Sequence, residues 1–128
     1  MSVMAHGIDM VDCARLGRSV ARHGGRFLER VFTPAELEYC QARKRCMEHL
    51  AGRFAVKEAV MKVLGTGWRG GVAWTDIEVC NDPLGKPEVH LAGRCRELAD
   101  EMGIERILVS ITHTDSQAVA SAIACGGG

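Results

Sequence analysis

The stretch "RFAVKEAVMKVLGTG", residues 53–67, decides the fold. Its apolar spacing predicts a helix beginning near Glu48 and ending at Gly65, but one without a clean polar side. On a helical wheel Arg53 and Lys57 share one edge, and Glu58 and Lys62 another, roughly 100° or more away. Phe, Ala, Val, Met and Leu fill most of the rest, and a helix apolar nearly all round is a buried one. Buried charges need partners. Glu58 therefore needs a cation, either Lys62 or a metal ion, and oxygen ligands suit Mg²⁺.

Working outward, "VMAHGIDMV" reads as a first strand, with Gly7 marking a close backbone approach or a bulge. Asp9 interrupts this apolar strand, where an acid is disfavoured unless it has a task. If the strand lies beside the long helix, Asp9 and Glu58 share a metal; otherwise they are two separately satisfied carboxylates. "DCARLGRSVARHG" has helical spacing and stops at Gly24-Gly25, and "RFLERVF" is a short helix. "TPAELEYCQARKR" starts a helix with Thr33 as cap, Pro34 at the first position and Glu36 completing a capping box. "WTDIEVCND" and "EVHLAG" read as strands of a hairpin around the turn-rich "NDPLGKP". "RCRELADEMG" is an amphipathic helix with Gly103 as its stop. "RILVSITHT" and "AVASAIA" are two strands joined by a polar bend from Thr112 to Gln117, and residues 124–128 are expected to be a frayed tail. Helices come mostly first and strands mostly later, which predicts a single α+β domain with an antiparallel sheet.

The 128 residues suffice for one core. Sixteen basic side chains balance sixteen acidic ones, so net charge points to no nucleic-acid or membrane partner. Aromatic content of 5% argues against a base-stacking platform. The opening residues carry no secretory signal and no stretch is apolar enough for a membrane span. The six cysteines, scattered without a C-x-x-C pair, are expected as reduced thiols of a cytoplasmic protein. Cys40, Cys46 and His49 have the wrong spacing for a zinc site.

Residues 65–70, "GTGWRG", match G-x-G-x-x-G literally, but a helix precedes them where a dinucleotide fold needs a strand. Gly65 and Gly67 either end the helix or let the backbone approach a phosphate closely. His113, at the end of an apolar strand, is either a capped turn residue or a phosphate ligand acting with Arg53 or Lys57. Arg15, Arg18 and Arg22 share one helical face, with Arg26 just beyond. That stripe is a solvated face, or it suits an acidic partner helix or phosphate.

Taken in order, "GIDMVDCARL", "RFLERVFTPAELEYC", "LAGRFAVKEAVMKVLGTG", "WTDIEVCNDPLGKPEVHL" and "VSITHT" resemble the bacterial holo-[acyl-carrier-protein] synthase family. This is the small trimeric type of 4′-phosphopantetheinyl transferase, and the likeness runs from about residue 4 to residue 123. The resemblance implies a 4′-phosphopantetheinyl transferase fold, an antiparallel sheet on a long central helix. It implies Mg²⁺-dependent transfer of phosphopantetheine from coenzyme A to a serine of apo acyl carrier protein, releasing adenosine 3′,5′-bisphosphate. Asp9 and Glu58 match the metal carboxylates and Lys62 the lysine beside the pyrophosphate, these three being the catalytic set. Arg53, His113 and Thr114 match positions gripping the adenosine end, and Gly65 and Gly67 the glycines lying against coenzyme A. Arg15, with Arg18, Arg22 and Arg26 as extensions, matches the helix that meets the carrier protein. The serine proton goes to Glu58 or to a water on the metal. Val11 stands where larger monomeric transferases carry a third acid, which points to the small type: a homotrimer with active sites between subunits. Exposed apolar residues on the sheet would support that assembly. The rivals are the same transfer to a polyketide or peptide-synthase carrier, a Mg²⁺-dependent nucleotide pyrophosphate hydrolase, and a non-catalytic coenzyme A module.

Overall fold

The structure, a computed structural model, describes residues 1–65 and 71–127. Along the chain run β1 (Ser2–Asp12), α1 (Cys13–His23), α2 (Gly25–Val31), α3 (Pro34–Gln41) and α4 (Cys46–Leu64). A 3₁₀ turn at Trp74–Asp76 leads into β2 (Ile77–Asn81) and β3 (Pro87–Leu91), then α5 (Gly93–Met102), β4 (Ile104–His113) and β5 (Gln117–Gly126). The class is α+β with antiparallel pairing throughout. β5 is the middle strand of a three-stranded sheet ordered β1-β5-β4, and β2-β3 form a separate hairpin.

α4 is the spine. It lies across β1 and β5, whose inward positions are nearly all small. Ala118, Ala120, Ala122 and Ala124 recur at every second residue of β5 and are fully or almost fully buried. They face Ala51, Ala55 and Ala59 of the helix, also fully buried. Gly7 completes this close seam: a Cβ there would collide with the carbonyl oxygen of Ala59. The close approach expected at Gly7 is thus present, and the strand's irregularity falls between Val3 and Ala5 instead.

Local chemistry sets the helix ends. Asp12 caps α1 by accepting from the backbone N–H of Arg15 at 3.0 Å. The Thr33–Glu36 capping box forms as expected, but α3 ends at Gln41, short of the "ARKR" that the sequence pattern carried into it. Gly65 closes α4 with φ 76°, and Gly103 closes α5 with φ 78°, both left-handed caps.

The tail expected to fray from residue 124 is instead strand as far as Gly126. Gly126 pairs with Ser2 on one side and Ile104 on the other, and Ala124 and Cys125 are buried. A middle strand has both rows of backbone groups satisfied, which holds its end in place. All six cysteines are free thiols. No described helix is long and apolar enough to cross a membrane.

Candidate active site

Inward-facing β1 positions alternate Gly7, Asp9 and Val11, so the tight seam at Gly7 delivers Asp9 to α4 one turn further on. Glu58 and Lys62 meet it there, one helical turn apart on the same face. Lys62 Nζ donates to Asp9 Oδ1 at 3.0 Å and to the carbonyl oxygen of Ile8 at 2.8 Å. The one-turn pair Glu58–Lys62 considered from the sequence therefore does not form; Lys62 is drawn to the strand. Glu58 is half-buried, and its carboxyl lies within hydrogen-bonding reach of the Asp9 carboxyl. Burial first, and the Asp9 carboxylate second, push the Glu58 carboxyl up to about 7, while Lys62 and Arg15 act in the opposite direction. The cluster opens on a cavity of about 590 Å³, lined also by Arg15, Ser19, Phe27 and Phe54.

Two carboxylates held this close repel when both are ionised, and a divalent cation relieves that repulsion. The donors are all oxygen, and no group of three or more His, Cys, Asp or Glu converges among the described residues. Such a pair fits Mg²⁺, which takes one or two carboxylates and completes its shell with water and phosphate oxygens. Val11, where a third acid would stand, is a buried core residue.

A second polar cavity of about 200 Å³ lies at another part of α4, lined by Tyr39, His49, Arg53, Asn81, Gly85 and His113 among others. Arg53 is only 3% exposed. One guanidinium nitrogen donates to Asn81 Oδ1 at 2.6 Å, the group stacks 4.0 Å from the Tyr39 ring centroid, and Nε is buried without a partner. His113 Nδ1 sits 3.3 Å from Glu48 Oε1, and His113 lines the same cavity as Arg53. Thr114 lies outside the cavity lining. Its hydroxyl oxygen accepts from the backbone N–H groups of Ser116 and Gln117 and builds the bend.

Lys57, weighed as a phosphate ligand, is not one. It is completely buried and paired with Glu36 at 2.8 Å, because its side chain leaves α4 towards β2 rather than towards either cavity. Gly65 serves as the helix cap, and among the described residues nothing lies within 4 Å of where its Cβ would stand. Gly67 lies outside the described residues. Arg15, Arg18, Arg22 and Arg26 are all exposed, and Arg15 both belongs to this stripe and lines the cavity above Asp9 and Glu58.

The two cavities share no lining residue. Asp9 and Glu58 line one, and Gly52 and Arg53 line the other. Sequence reasoning missed Tyr39, Asn81 and Glu48. Asn81 stood in "NDPLGKP", which reads only as a turn, and Glu48 read only as the start of a helix.

Residues 5–121 match the model of the 4′-phosphopantetheinyl transferase superfamily. The holo-[acyl-carrier-protein] synthase of Geotalea daltonii is 50% identical over 114 residues, covering 89% of this chain and 91% of that protein. The crystal structure of the holo-[acyl-carrier-protein] synthase from Neisseria meningitidis superposes with a TM-score of 0.89 at 33% identity, covering 97% of this chain and 99% of that one. The Helicobacter pylori holo-[acyl-carrier-protein] synthase, solved in complex with coenzyme A, gives a TM-score of 0.82 at 32% identity, covering 94% and 99%.

Proposed function

The chain belongs to the holo-[acyl-carrier-protein] synthase family of the 4′-phosphopantetheinyl transferase superfamily, and we propose that it moves phosphopantetheine from coenzyme A to a serine of apo acyl carrier protein with Mg²⁺. The observation that carries this is the Asp9–Glu58 pair with Lys62 clipped beside it, open to a cavity that Arg15 overlooks.

Asp9 and Glu58 would hold Mg²⁺, which when bound offsets the negative charge of the pyrophosphate. Lys62 adds a fixed positive charge at the same place, already oriented by Asp9 and the Ile8 carbonyl. The serine oxygen attacks the β-phosphorus, the bond from that phosphorus to the bridging oxygen breaks, and adenosine 3′,5′-bisphosphate leaves. Glu58, which lines the cavity, takes the serine proton: beside a bound cation its carboxyl would be ionised and so able to accept it. Phe27 and Phe54 line the cavity and keep part of its wall apolar.

Arg53, with its unpartnered buried Nε, and His113 would grip the nucleotide end, including its 3′-phosphate. Since one chain does not bring this cavity to the carboxylates, a second copy completes the site. Support comes from the outward face of the three-stranded sheet, where Ile8, Met10 and Leu108 are 54%, 61% and 39% exposed. A soluble chain covers such a face, and the expected assembly is a homotrimer. The arginine stripe would receive the acidic carrier.

The test is the intact mass of apo acyl carrier protein after incubation with this enzyme, coenzyme A and Mg²⁺. Gain of one phosphopantetheine group, absent with chelator or with Glu58→Gln, is the expected result. Release of adenosine bisphosphate without any carrier protein would favour a hydrolase and contradict the proposal.

A further inference from the structure

Glu36 and Lys57 form an ion pair with both side chains wholly removed from solvent. Neither lines a described cavity that the reaction uses. Taking two charges out of water is costly, and such a pair is poor value as stabilisation alone. What it does supply is direction. Lys57 Nζ donates to the carbonyl oxygen of Trp74 at 3.1 Å and to that of Ile77. Glu36 Oε2 accepts from the backbone N–H of Val79 at 2.8 Å, and Oε1 from that of Thr33 at 2.9 Å. The Thr33 hydroxyl in turn donates to Glu78 Oε2 at 2.6 Å. One buried pair thus fixes the start of α3, the middle of α4 and the backbone of β2 at two successive inward positions, Ile77 and Val79.

The next residue in that alternation is Asn81. Its Oδ1 receives the Arg53 guanidinium, and its Nδ2 donates to the carbonyl oxygen of Gly85 at 2.9 Å in the hairpin turn. Asn81 and Gly85 both line the Arg53 cavity. Arg53 sits one turn before Lys57 on α4, so helix and strand are tied at two adjacent rungs. The first is a closed, dry ion pair, and the second faces the cavity.

We infer that Glu36 and Lys57 are positioning residues for the nucleotide end of coenzyme A: they fix β2 against α4, and so hold Arg53, Asn81 and the hairpin turn in binding geometry without touching the ligand. This rests on the assignment of the Arg53 cavity to the nucleotide end. Apolar residues of similar size would fill the space but make none of these bonds to the β2 backbone, leaving the strand free to shift along the helix.

The experiment measures binding of adenosine 3′,5′-bisphosphate by calorimetry, and kcat and KM for coenzyme A, in Glu36→Gln, Lys57→Met, Asn81→Ala and Arg53→Ala, with circular dichroism to confirm folding. Folded Glu36→Gln and Lys57→Met are expected to bind the bisphosphate about tenfold more weakly or worse, the effect of losing a charge-assisted contact. KM for coenzyme A should rise in parallel, with kcat at saturating coenzyme A within about twofold of the parent. Parent-like affinity in these variants, with Arg53→Ala weakened, would overturn the positioning role while leaving the nucleotide assignment intact. A fall in kcat at saturation with KM unmoved would also overturn it, since that places Lys57 in the chemistry. Unchanged affinity in Arg53→Ala would remove the nucleotide assignment and the inference together. If Glu36→Gln and Lys57→Met do not fold, Asn81→Ala decides. It keeps the buried pair and cuts the tie from β2 to Arg53, together with the bond to the Gly85 carbonyl, so a raised KM supports the relay and a parent-like KM refutes it.

Discussion

Lys62 Nζ stands 3.0 Å from Asp9 Oδ1, so a helix ammonium is clipped to a strand carboxylate rather than to Glu58, its neighbour one turn back on its own helix. The clip holds a cation beside the carboxylate pair while most of the lysine side chain remains in solvent, 56% exposed. Lys62→Met should lower kcat by about 10²–10³-fold, the usual cost of losing one pre-oriented electrostatic contact. An exposed ion pair contributes little to stability, so the melting temperature should change by no more than about 2 °C. Steady-state kinetics and a thermal melt check both halves.

Gly7 sets the distance between β1 and α4. In Gly7→Ala the new methyl meets the Ala59 carbonyl oxygen, which belongs to a helix backbone and cannot rotate away. Overpacking of this kind costs about 1–3 kcal/mol, and here it also displaces Asp9 from Glu58 and Lys62. A urea titration should show the stability loss. Activity of the folded fraction should fall by more than the loss of folded protein explains.

The Glu58 carboxyl, ordinarily near 4.5, is pushed up to about 7 in the folded chain, chiefly by burial and then by Asp9. The folded state therefore holds this proton more tightly than the unfolded one. The stability it contributes is complete below about 4.5 and is lost as pH rises through about 7. Without metal, the melting temperature of the parent should drop across that window relative to Glu58→Gln, by a few degrees; the difference between the two proteins isolates this group. Adding Mg²⁺ at pH 8 should raise the melting temperature of the parent and leave that of Glu58→Gln nearly unmoved. Scanning calorimetry with and without chelator reads both effects.

Ile8 and Met10 stand on the outward face of β1 beside Val119, Ser121 and Ile123 of β5. A charge there, as in Met10→Glu, leaves the inward seam untouched and should disperse the assembly. Sedimentation should give a three-chain species for the parent and a single-chain species for the variant. Activity should fall together with the assembly.

The periodicity of residues 46–64 made α4 legible, since a helix apolar nearly all round has to be the buried spine. Alternation did the same for β1, β4 and β5, and the Thr33–Glu36 pattern for the start of α3. The grouping of Asp9 with Glu58 was legible as one of two open options, because an acid inside an apolar strand and an acid inside an apolar helix each lack a solvated place. Other features depended on contacts between distant residues. Nothing local says that Lys57 meets Glu36 across the core, or that Lys62 turns to Asp9 rather than Glu58. The glycine-rich end near residue 126 reads as loose because local composition is silent about its place between two partner strands. Thr114 lay next to His113 in sequence, but its hydroxyl is committed to the bend.

In the proposed function the Asp9–Glu58 pair of one copy works with the Arg53 cavity of another, since the two cavities of one chain share no lining residue. Mixed assemblies test this most directly: Asp9→Ala chains, which lack a metal carboxylate, are refolded together with Arg53→Ala chains, which lack the nucleotide grip. Each variant alone should transfer phosphopantetheine to apo acyl carrier protein at a small fraction of the parent rate. The mixture should recover a substantial part of that rate, because some interfaces then pair an intact carboxylate cluster with an intact Arg53 cavity. A mixture no more active than the two variants assayed apart would contradict the account, placing both halves of the site within a single chain.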